Sequence, residues 1–313
     1  MTSRCSLAAG ILVLRALHCM KELYVIEKTA IYTTMVILAD KVPYLHIVWA
    51  QLVQKYPPRT LELMGSVFTQ ITMFWSLSLV FLLLDSFGPS YVKRYKIQRS
   101  SRQPRRTLLW QAALMAALNQ AFTILLHLGQ LFIVRPLVPQ ITGLRVEPKL
   151  PSAAEIMHDI LWCTLGREAL FYYGHRALHW PWLYRRFHKQ HHLFNTPVAV
   201  ASLYCHPVEH VVSNILPVII PAHILRIHIV TFWLFSCGVI AQASLAHCGY
   251  SFFDLSFAGW KPEVHDLHHE KFNVNYGLIG LLDAIHGTRD TGRRRLWVGV
   301  SDIQDEGLSK VKQ

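Results

Sequence analysis

Residues 175–210 read HRALHWPWLYRRFHKQHHLFNTPVAVASLYCHPVEH, and this stretch holds seven histidines within 36 residues. The histidines fall into three clusters, HRALH, HKQHH and HPVEH, in which the rings recur at spacings of three or four. Side chains spaced in this way lie on one face of an α-helix, about 6 Å apart along its axis at spacing four. The members of each cluster can therefore reach the same metal ion.

A fourth cluster, HDLHH at residues 265–269, repeats the doubled pattern of HKQHH. Neutral imidazole suits zinc, copper, iron and nickel, whereas oxygen ligands suit magnesium and calcium. Such an ion takes roughly four to six ligands, so ten imidazoles indicate two ions in a dinuclear, nearly all-nitrogen site. The ten predicted metal ligands are His175, His179, His188, His191, His192, His206, His210, His265, His268 and His269.

Surface histidines are the competing explanation for these clusters. A single pair at spacing four arises readily by chance on a solvated helix or at a membrane surface. A surface run has no physical reason to repeat the doubled HxxHH pattern at two distant places in the chain. The full set of clusters therefore favours a metal site.

The composition indicates a membrane protein. Of the 313 residues, 52% are hydrophobic and only 16% are charged, which is unusual for a soluble domain. The net charge of +12 fits a membrane protein whose basic residues gather at the cytoplasmic face near anionic lipid. No nucleic-acid partner is expected, because the basic residues lie in short loops between apolar runs. The six cysteines form no C-x-x-C pair, which argues against a disulfide framework or a zinc ribbon.

Two uncharged runs, residues 64–84 and 108–134, are long enough to cross a bilayer, which takes about 20 residues. The loop between them, residues 91–106, carries seven basic side chains and no acidic one, so it is predicted to be cytoplasmic. Residues 153–173 are predicted to cross with their charges turned inward, and residues 211–247 to form a helical hairpin. The crossing at residues 153–173 returns the chain to the cytosolic side just before the first histidine cluster. The hairpin leaves and re-enters on that same side, so all four histidine clusters are predicted to be cytosolic.

The predicted fold class is an all-α integral membrane protein whose transmembrane helices carry a cytosolic, histidine-rich helical cap. Residues 1–60 are predicted to be a membrane-associated segment that begins with an uncleaved anchor or interfacial helix. Transmembrane helices with the basic loop follow in residues 61–152, and the catalytic domain in residues 153–290. Residues 291–313 are predicted to form a polar tail. Within the catalytic domain, residues 272–288 are predicted to be an amphipathic segment packed under the site.

Several of these motifs resemble the fatty acid hydroxylase superfamily of integral membrane oxidases, which includes sterol desaturases, C-4 methylsterol oxidases and fatty-acyl hydroxylases. The resemblance covers roughly residues 168–288 and is closest to the animal fatty acid hydroxylase domain-containing proteins. It is carried by HRALH, HKQHH, HPVEH after SLYC, AHCGY around His247, HDLHH, and NYG ahead of HGT. It implies a di-iron centre on the cytosolic side of the endoplasmic reticulum membrane, bound by the ten clustered histidines, with O2 as co-substrate.

Other residues are predicted to support these ligands. Metal-bound histidines usually donate their second N–H to a carboxylate or a carbonyl, so nearby acids are candidates for this role, with a plain surface charge as the alternative. His247 lies in a motif of the family and is interpreted as a supporting residue or an additional ligand; a packed histidine at a helix end is the alternative. The supporting acids are predicted to be Glu209, Asp266, Glu270 and Asp283.

The predicted function is O2-dependent oxidation of a lipid. Metal ions held by imidazoles with open coordination positions can activate O2, and the resemblance favours hydroxylation of a sterol, as in C-4 methylsterol oxidases. A fatty-acyl or sphingolipid hydroxylase or desaturase is the alternative. Apolar walls for such a substrate are available in the hairpin.

Electrons from NAD(P)H are expected to arrive through an external carrier. The sequence contains no G-x-G-x-x-G fingerprint for a nicotinamide or flavin and no HPGG motif of a fused cytochrome b5 domain. The resemblance implies cytochrome b5 and its reductase as partners. The basic residues Arg185 and Arg186, together with residues 93–106, are candidate docking surfaces for an acidic carrier.

Two other classes of function compete with the oxidase. A metal transporter would place its ligands at bilayer depth, whereas these clusters lie in polar linkers. A zinc hydrolase is suggested by HPVEH, which fits the H-x-x-E-H pattern, but it would use two histidines and leave eight without a role.

Overall fold

The computed structural model describes residues 43–98, 103–138, 143–251 and 262–290. These residues are mainly helical and form no β-strand; their β-type pairing consists of two isolated bridges, between Lys96 and Tyr250 and between Arg145 and His228. The all-α prediction is therefore confirmed. The predicted N-terminal anchor and the polar tail, residues 291–313, lie outside the described part of the chain.

The described residues form two compact units. The first contains residues 43–56 and 147–150, and within it residues 43–55 form helix α1. The indole Nε1 of Trp49 donates to the carbonyl of Glu147 over 2.7 Å. The second unit contains all other described residues, including every helix named below.

The helices of the second unit follow one another with short connections. Helix α4 continues without a break through a π-helical segment into α5. The α-helices are α2 (Pro58–Phe87), α3 (Ser90–Lys93), α4 (Arg106–Gly129), α5 (Arg135–Leu137), α6 (Ala153–Leu178), α7 (Pro181–Leu183), α8 (Pro207–Glu209), α9 (Leu216–Ile224), α10 (Ile229–Ala246), α11 (Pro262–Lys271) and α12 (Leu281–His286). The π-helical segments are Gln130–Val134, Tyr184–His188 and His210–Ile215, and the 3₁₀ helices are His191–Leu193 and Ala199–Leu203.

Three of the described helices are long and apolar enough to cross a membrane: α2, the continuous run Arg106–Leu137, and α10. The first two contain the predicted spans at residues 64–84 and 108–134. Helix α6 is more polar, and it buries three of its charged side chains, Asp159, Arg167 and Glu168. These three charges are therefore turned inward, as the sequence pattern predicted, whereas His158 and Arg176 are exposed. Helix α6 is not one of the three candidate spans, so its membrane crossing stays a prediction.

The predicted hairpin is present as two helical arms. The first arm runs through residues 207–224 and the second is α10, with Arg226 in the turn between them at φ +50°. The first arm is π-helical at His210–Ile215, just ahead of Pro217. Proline has no N–H, so Pro217 cannot donate to the carbonyl four residues earlier, and the ladder of backbone hydrogen bonds is irregular here.

A short 3₁₀ helix, Ala199–Leu203, connects the membrane helices with the histidine clusters. It packs against α2, α4 and α10. Its core contacts include Ala201 against Ala112 of α4, and Ala199 against Phe81 of α2. Because this helix lies between HKQHH and HPVEH in the chain, its packing constrains where HKQHH ends and where HPVEH begins.

Helix α2 packs along α10, and Gly65 permits the close approach. The indole of Trp233 lies over Gly65, so a Cβ at this position would overlap the ring. The same indole donates from Nε1 to Ser66 Oγ over 3.3 Å. A small residue is therefore required where the two helices meet.

We expect Gly65→Ala to lower the melting temperature of the detergent-solubilised protein, because overpacking costs about 1–3 kcal/mol. Gly238→Ala in α10 is the matched control, since a Cβ there meets no atom within 4 Å and alanine is the better helix former. Thermal unfolding of the two variants provides the measurement. Equal melting temperatures would contradict the packing of α2 on α10.

Candidate metal centre

The histidines converge in two groups. The five-histidine group contains His175, His179, His188, His192 and His268. The four-histidine group contains His191, His247, His265 and His269. Within each group, one ligand atom from every ring lies within 4.8 Å of the others. The two groups are adjacent, since the rings of His192 and His269 have centroids 4.7 Å apart.

Each doubled motif is divided between the two groups. In HKQHH, His188 and His192 belong to the five-histidine group and His191 to the four-histidine group. In HDLHH the assignment is reversed: His265 and His269 belong to the four-histidine group and His268 to the other. The pair at spacing four therefore serves one group, and the residue at spacing three serves its neighbour.

The spacing of the ring nitrogens fits metal ligation. Nε2 of His188 lies 3.1 Å from that of His175, 2.9 Å from that of His179 and 3.0 Å from that of His192. Nε2 of His188 has either one proton to donate or one lone pair to accept with, so these three contacts cannot all be hydrogen bonds. Imidazole nitrogens about 2.1 Å from a metal ion and at right angles around it would lie about 3 Å apart.

The four-histidine group has the same geometry. Nε2 of His247 lies 3.3 Å from that of His191 and 3.0 Å from that of His265. Nε2 of His265 lies 3.1 Å from that of His269. Each group therefore presents its lone pairs to a point of its own, and each fits one transition-metal ion.

Backbone carbonyls fix the orientation of three rings, two in the five-histidine group and one in the four-histidine group. Nδ1 of His175 donates to the carbonyl of Tyr276 over 2.8 Å, and Nδ1 of His268 donates to that of Val274 over 2.6 Å. Nδ1 of His247 donates to Ala243 over 2.8 Å. Donation from Nδ1 leaves the lone pair on Nε2 free for a metal. Nε2 of His268 is buried without a hydrogen-bond partner in the described structure, which metal ligation would explain.

The environment keeps these imidazoles neutral. Burial, and after it repulsion from neighbouring imidazoles, lowers the pKa of most ligand rings. Burial also lowers the pKa of His247 to about 4. The uncharged form is the one that binds metal. The other rings of the two groups with a lowered pKa are His175, His179, His188, His191, His192, His265, His268 and His269, of which His268 is repelled chiefly by His175.

Two of the predicted supporting acids lie where they can orient ligand rings. Glu209 Oε1 is 2.8 Å from Nδ1 of His188. Asp283 acts one step further away, because it accepts from the backbone N–H groups of Tyr276 and Gly277 over 2.8 and 2.7 Å. These bonds hold the turn whose Tyr276 carbonyl accepts from His175. Asp283 therefore supports a ligand through the backbone.

The other two predicted acids lie on α11. Both oxygens of Asp266 accept from the amide of Gln98, over 2.9 and 3.0 Å, and the carboxylate is buried. This pair ties the histidine-bearing helix α11 to the basic loop, residues 91–106. Glu270 is half-buried, next to His269 in the sequence.

The structure does not bring His206 and His210 into either group. His206 is the N-cap of α8 with extended backbone angles, and its Nδ1 accepts from the N–H of Val208 over 3.1 Å. Nε2 of His210 lies 2.7 Å from Thr123 Oγ1. The spacing of four places two rings on one face only if the helix is continuous, and this helix begins after His206, at Pro207. Eight of the ten predicted ligands therefore converge, together with His247.

Glu168 holds the turn that carries Tyr276 and Gly277, whereas the sequence pattern predicted it only as one of the inward-facing charges of residues 153–173. It is 1% exposed, and its Oε2 accepts from the N–H groups of Leu278 and Ile279 over 2.8 and 3.0 Å. A Cβ on Gly277 would lie 2.7 Å from Glu168 Oε1 and 2.8 Å from Asp283 Oδ2. The glycine of the NYG motif therefore allows two carboxylates to hold one turn.

A cavity reaches both histidine groups. His175 and His188 of the five-histidine group line it, together with His191, His247 and His265 of the other. Many of its remaining walls are apolar, and they include Phe171, Val264, Leu245, Ala246, Leu278 and Ile279. Apolar walls that alternate with positioned polar groups, as here, suit a hydrophobic ligand that carries a polar end.

The fold and the site define a class: helical membrane proteins with a buried histidine centre beside an apolar cavity. A family model described as fatty acid hydroxylase matches residues 160–288. The chain belongs to the fatty acid hydroxylase family, as the motif resemblance predicted. No solved structure matches it.

Individual relatives extend this similarity. Fatty acid hydroxylase domain-containing protein 2 of Homo sapiens is 36% identical over 233 residues, which cover 72% of this chain and 66% of that protein. Methylsterol monooxygenase 2-2 of Arabidopsis thaliana is 31% identical over 262 residues, or 79% of this chain and 92% of that protein. Fatty acid hydroxylase ahd1 of Mycosarcoma maydis is 42% identical over 142 residues, or 45% and 36% of the respective chains.

We expect His268→Ala and His269→Ala each to lower the metal content of the purified protein by at least about one ion per chain, because each variant removes a converging ligand from a different group. His206→Ala should retain full metal content, since its ring caps α8. Elemental analysis by mass spectrometry provides the measurement. Loss of metal in His206→Ala to the level of His268→Ala would contradict the two groups.

We also expect Gly277→Ala to lose metal, because its Cβ would push apart the two carboxylates that hold the turn under His175. Gly129→Ala in α4 is the control, since no atom lies within 4 Å of a Cβ there. Metal content and thermal unfolding are measured for both variants. Normal metal content in Gly277→Ala would show that this turn does not position the ligands.

Proposed function

We propose that the chain is a membrane-bound, O2-dependent lipid oxidase with two iron ions, and that it hydroxylates a sterol. The observation that carries the proposal is the convergence of two neutral-imidazole groups on the wall of one apolar cavity. Iron ions bound there with open coordination positions would supply O2 activation and oxidation of an unactivated C–H bond.

The chain's own residues hold and orient the reacting groups. The nine converging histidines would hold the two ions, and carbonyls of Ala243, Val274 and Tyr276 fix three of the rings. Glu209 lies beside His188 and is placed to accept the N–H on its Nδ1. The apolar walls favour hydrocarbon over water next to the ions.

The sterol assignment is supported by the relatives. Methylsterol monooxygenase 2-2 aligns with this chain over 92% of its own length. Fatty-acyl or sphingolipid hydroxylation or desaturation is the alternative, supported by the 42% identity to fatty acid hydroxylase ahd1 over 142 residues. Zinc hydrolysis at HPVEH gains no support, because its two histidines lie outside both groups.

We further propose that the site faces the cytosol at the endoplasmic reticulum membrane and receives electrons from NAD(P)H through cytochrome b5 and its reductase. The basic loop between α2 and α4 supports the cytosolic orientation, because basic loops favour the cytosolic side. Lys93, Arg94, Arg105 and Arg106 of this loop are exposed, as are Arg185 and Arg186 near the centre. These cations suit an acidic electron carrier.

We expect the purified chain in lipid nanodiscs, loaded with iron and supplied with reductant and O2, to oxidise a methylsterol. His191→Ala should lower turnover by at least about 100-fold without changing membrane insertion, because it removes a ligand from the four-histidine group. His158→Ala, an exposed histidine of α6, is the control. Turnover that needs zinc in place of iron, or that proceeds without O2, would contradict the oxidase.

Lipid profiles of cells lacking the protein separate the two substrate classes. Accumulated methylsterols are expected if a sterol is the substrate. Loss of 2-hydroxylated acyl chains without any change in sterols would instead favour the fatty-acyl alternative.

A further inference from the structure

Arg167 is a buried cation in the wall of the cavity that reaches both histidine groups. Its side chain is 6% exposed and lines the cavity. Nη1 donates to Oε1 of Gln242 on α10 over 2.5 Å. The buried Nε has no hydrogen-bond partner within the described structure.

The charge of Arg167 is not neutralised by an ion pair with any described residue. The neighbouring Glu168 attracts it, but the carboxylate oxygens of Glu168 already accept from the backbone of Leu278, Ile279 and Leu282. A guanidinium stays charged in proteins, and burying a charge without a full set of partners is costly. A group that enters the cavity could supply the missing acceptor.

A second polar side chain in the same cavity also lacks a partner. Ser213, on the π-helical segment His210–Ile215, lines the cavity and is 6% exposed. Its Oγ has no hydrogen-bond partner in the described residues. A few polar groups among apolar walls are the usual means of orienting a hydrophobic ligand.

We propose that Arg167, assisted by Ser213, binds the oxygen-bearing end of the lipid substrate, a hydroxyl or a carboxylate. This inference rests on the proposed function for the chemistry at the metal groups, but it concerns only how the lipid is held. Because Arg167 and the histidines line one cavity, a lipid held by its oxygen presents the carbons nearest that oxygen to the metal groups. Arg167 is therefore a positioning residue that selects lipids oxidised close to their polar end.

This inference is tested by measuring how tightly two pairs of radiolabelled probes bind to the full chain in nanodiscs. The first pair is lanosterol and its analogue without the hydroxyl, and the second is palmitic acid and hexadecane. We expect the oxygen-bearing member of one pair to bind at least about tenfold more tightly. The pair that shows the preference identifies the source of the oxygen as a sterol hydroxyl or a fatty-acid carboxylate.

Arg167→Gln should reduce this preference to less than about threefold, and Arg167→Lys should retain part of it, because an ammonium still donates. Arg59→Gln, an exposed arginine of α2, is the matched control and should leave it unchanged. Metal content is measured in each variant as a check on folding. An unchanged preference in Arg167→Gln with normal metal content would overturn the inference, and so would a wild-type protein that prefers neither oxygen-bearing probe.

Gln242→Leu provides a second route if Arg167→Gln cannot be purified. It removes the acceptor that fixes Nη1, so the preference should fall by about threefold or more; no change would count against the inference.

The two proposals can fail separately. If binding depends on Arg167 but no lipid is oxidised, the oxidase proposal fails; if lipid is oxidised but binding does not depend on Arg167, this inference fails.

Discussion

The arrangement depends on one constraint: nine neutral imidazoles must present lone pairs to two adjacent points inside a low-dielectric interior. Such crowding is costly for charged rings, and burial therefore holds them in the neutral form. Two short helical segments, HKQHH and HDLHH, supply six of the nine rings. In each doubled HxxHH motif, the residues at spacing four face one point and the residue at spacing three faces the other. The remaining structure brings HKQHH and HDLHH together from positions 77 residues apart along the chain.

The scaffold that holds these rings is itself polar. Glu168 and Asp283 do not touch a ligand ring in the hydrogen bonds described, yet together they bind the backbone of residues 276–282. That turn places the Tyr276 carbonyl against His175. These two carboxylates accept five backbone N–H bonds from the turn, and the buried ring of Tyr276 packs against Tyr172 and His175. Precision at the centre therefore originates in α6 and α12 as much as in the histidine motifs.

Much of the fold and the centre follows from sequence patterns with a regular period. Uncharged runs of membrane length predicted α2 and the continuous helix after Arg105, and the histidine spacing predicted convergence. The deviations have local causes. Pro207 starts a helix after His206 and so removes that ring from the face of His210. His247 has no histidine at helical spacing, so the motif resemblance was its only signal. Glu168 was missed because its partners are backbone N–H groups 110 residues or more away, which no side-chain pattern reveals.

The division of each doubled motif between two groups also couples their occupancy. An ion bound by His188 and His192 would order the same short segment that carries His191, and an ion bound by His265 and His269 would order the segment that carries His268. The entropic cost of arranging the second set of ligands would then already be met when the first is filled. Half-filled molecules would be scarce under metal limitation, and the population would divide between empty and fully loaded chains.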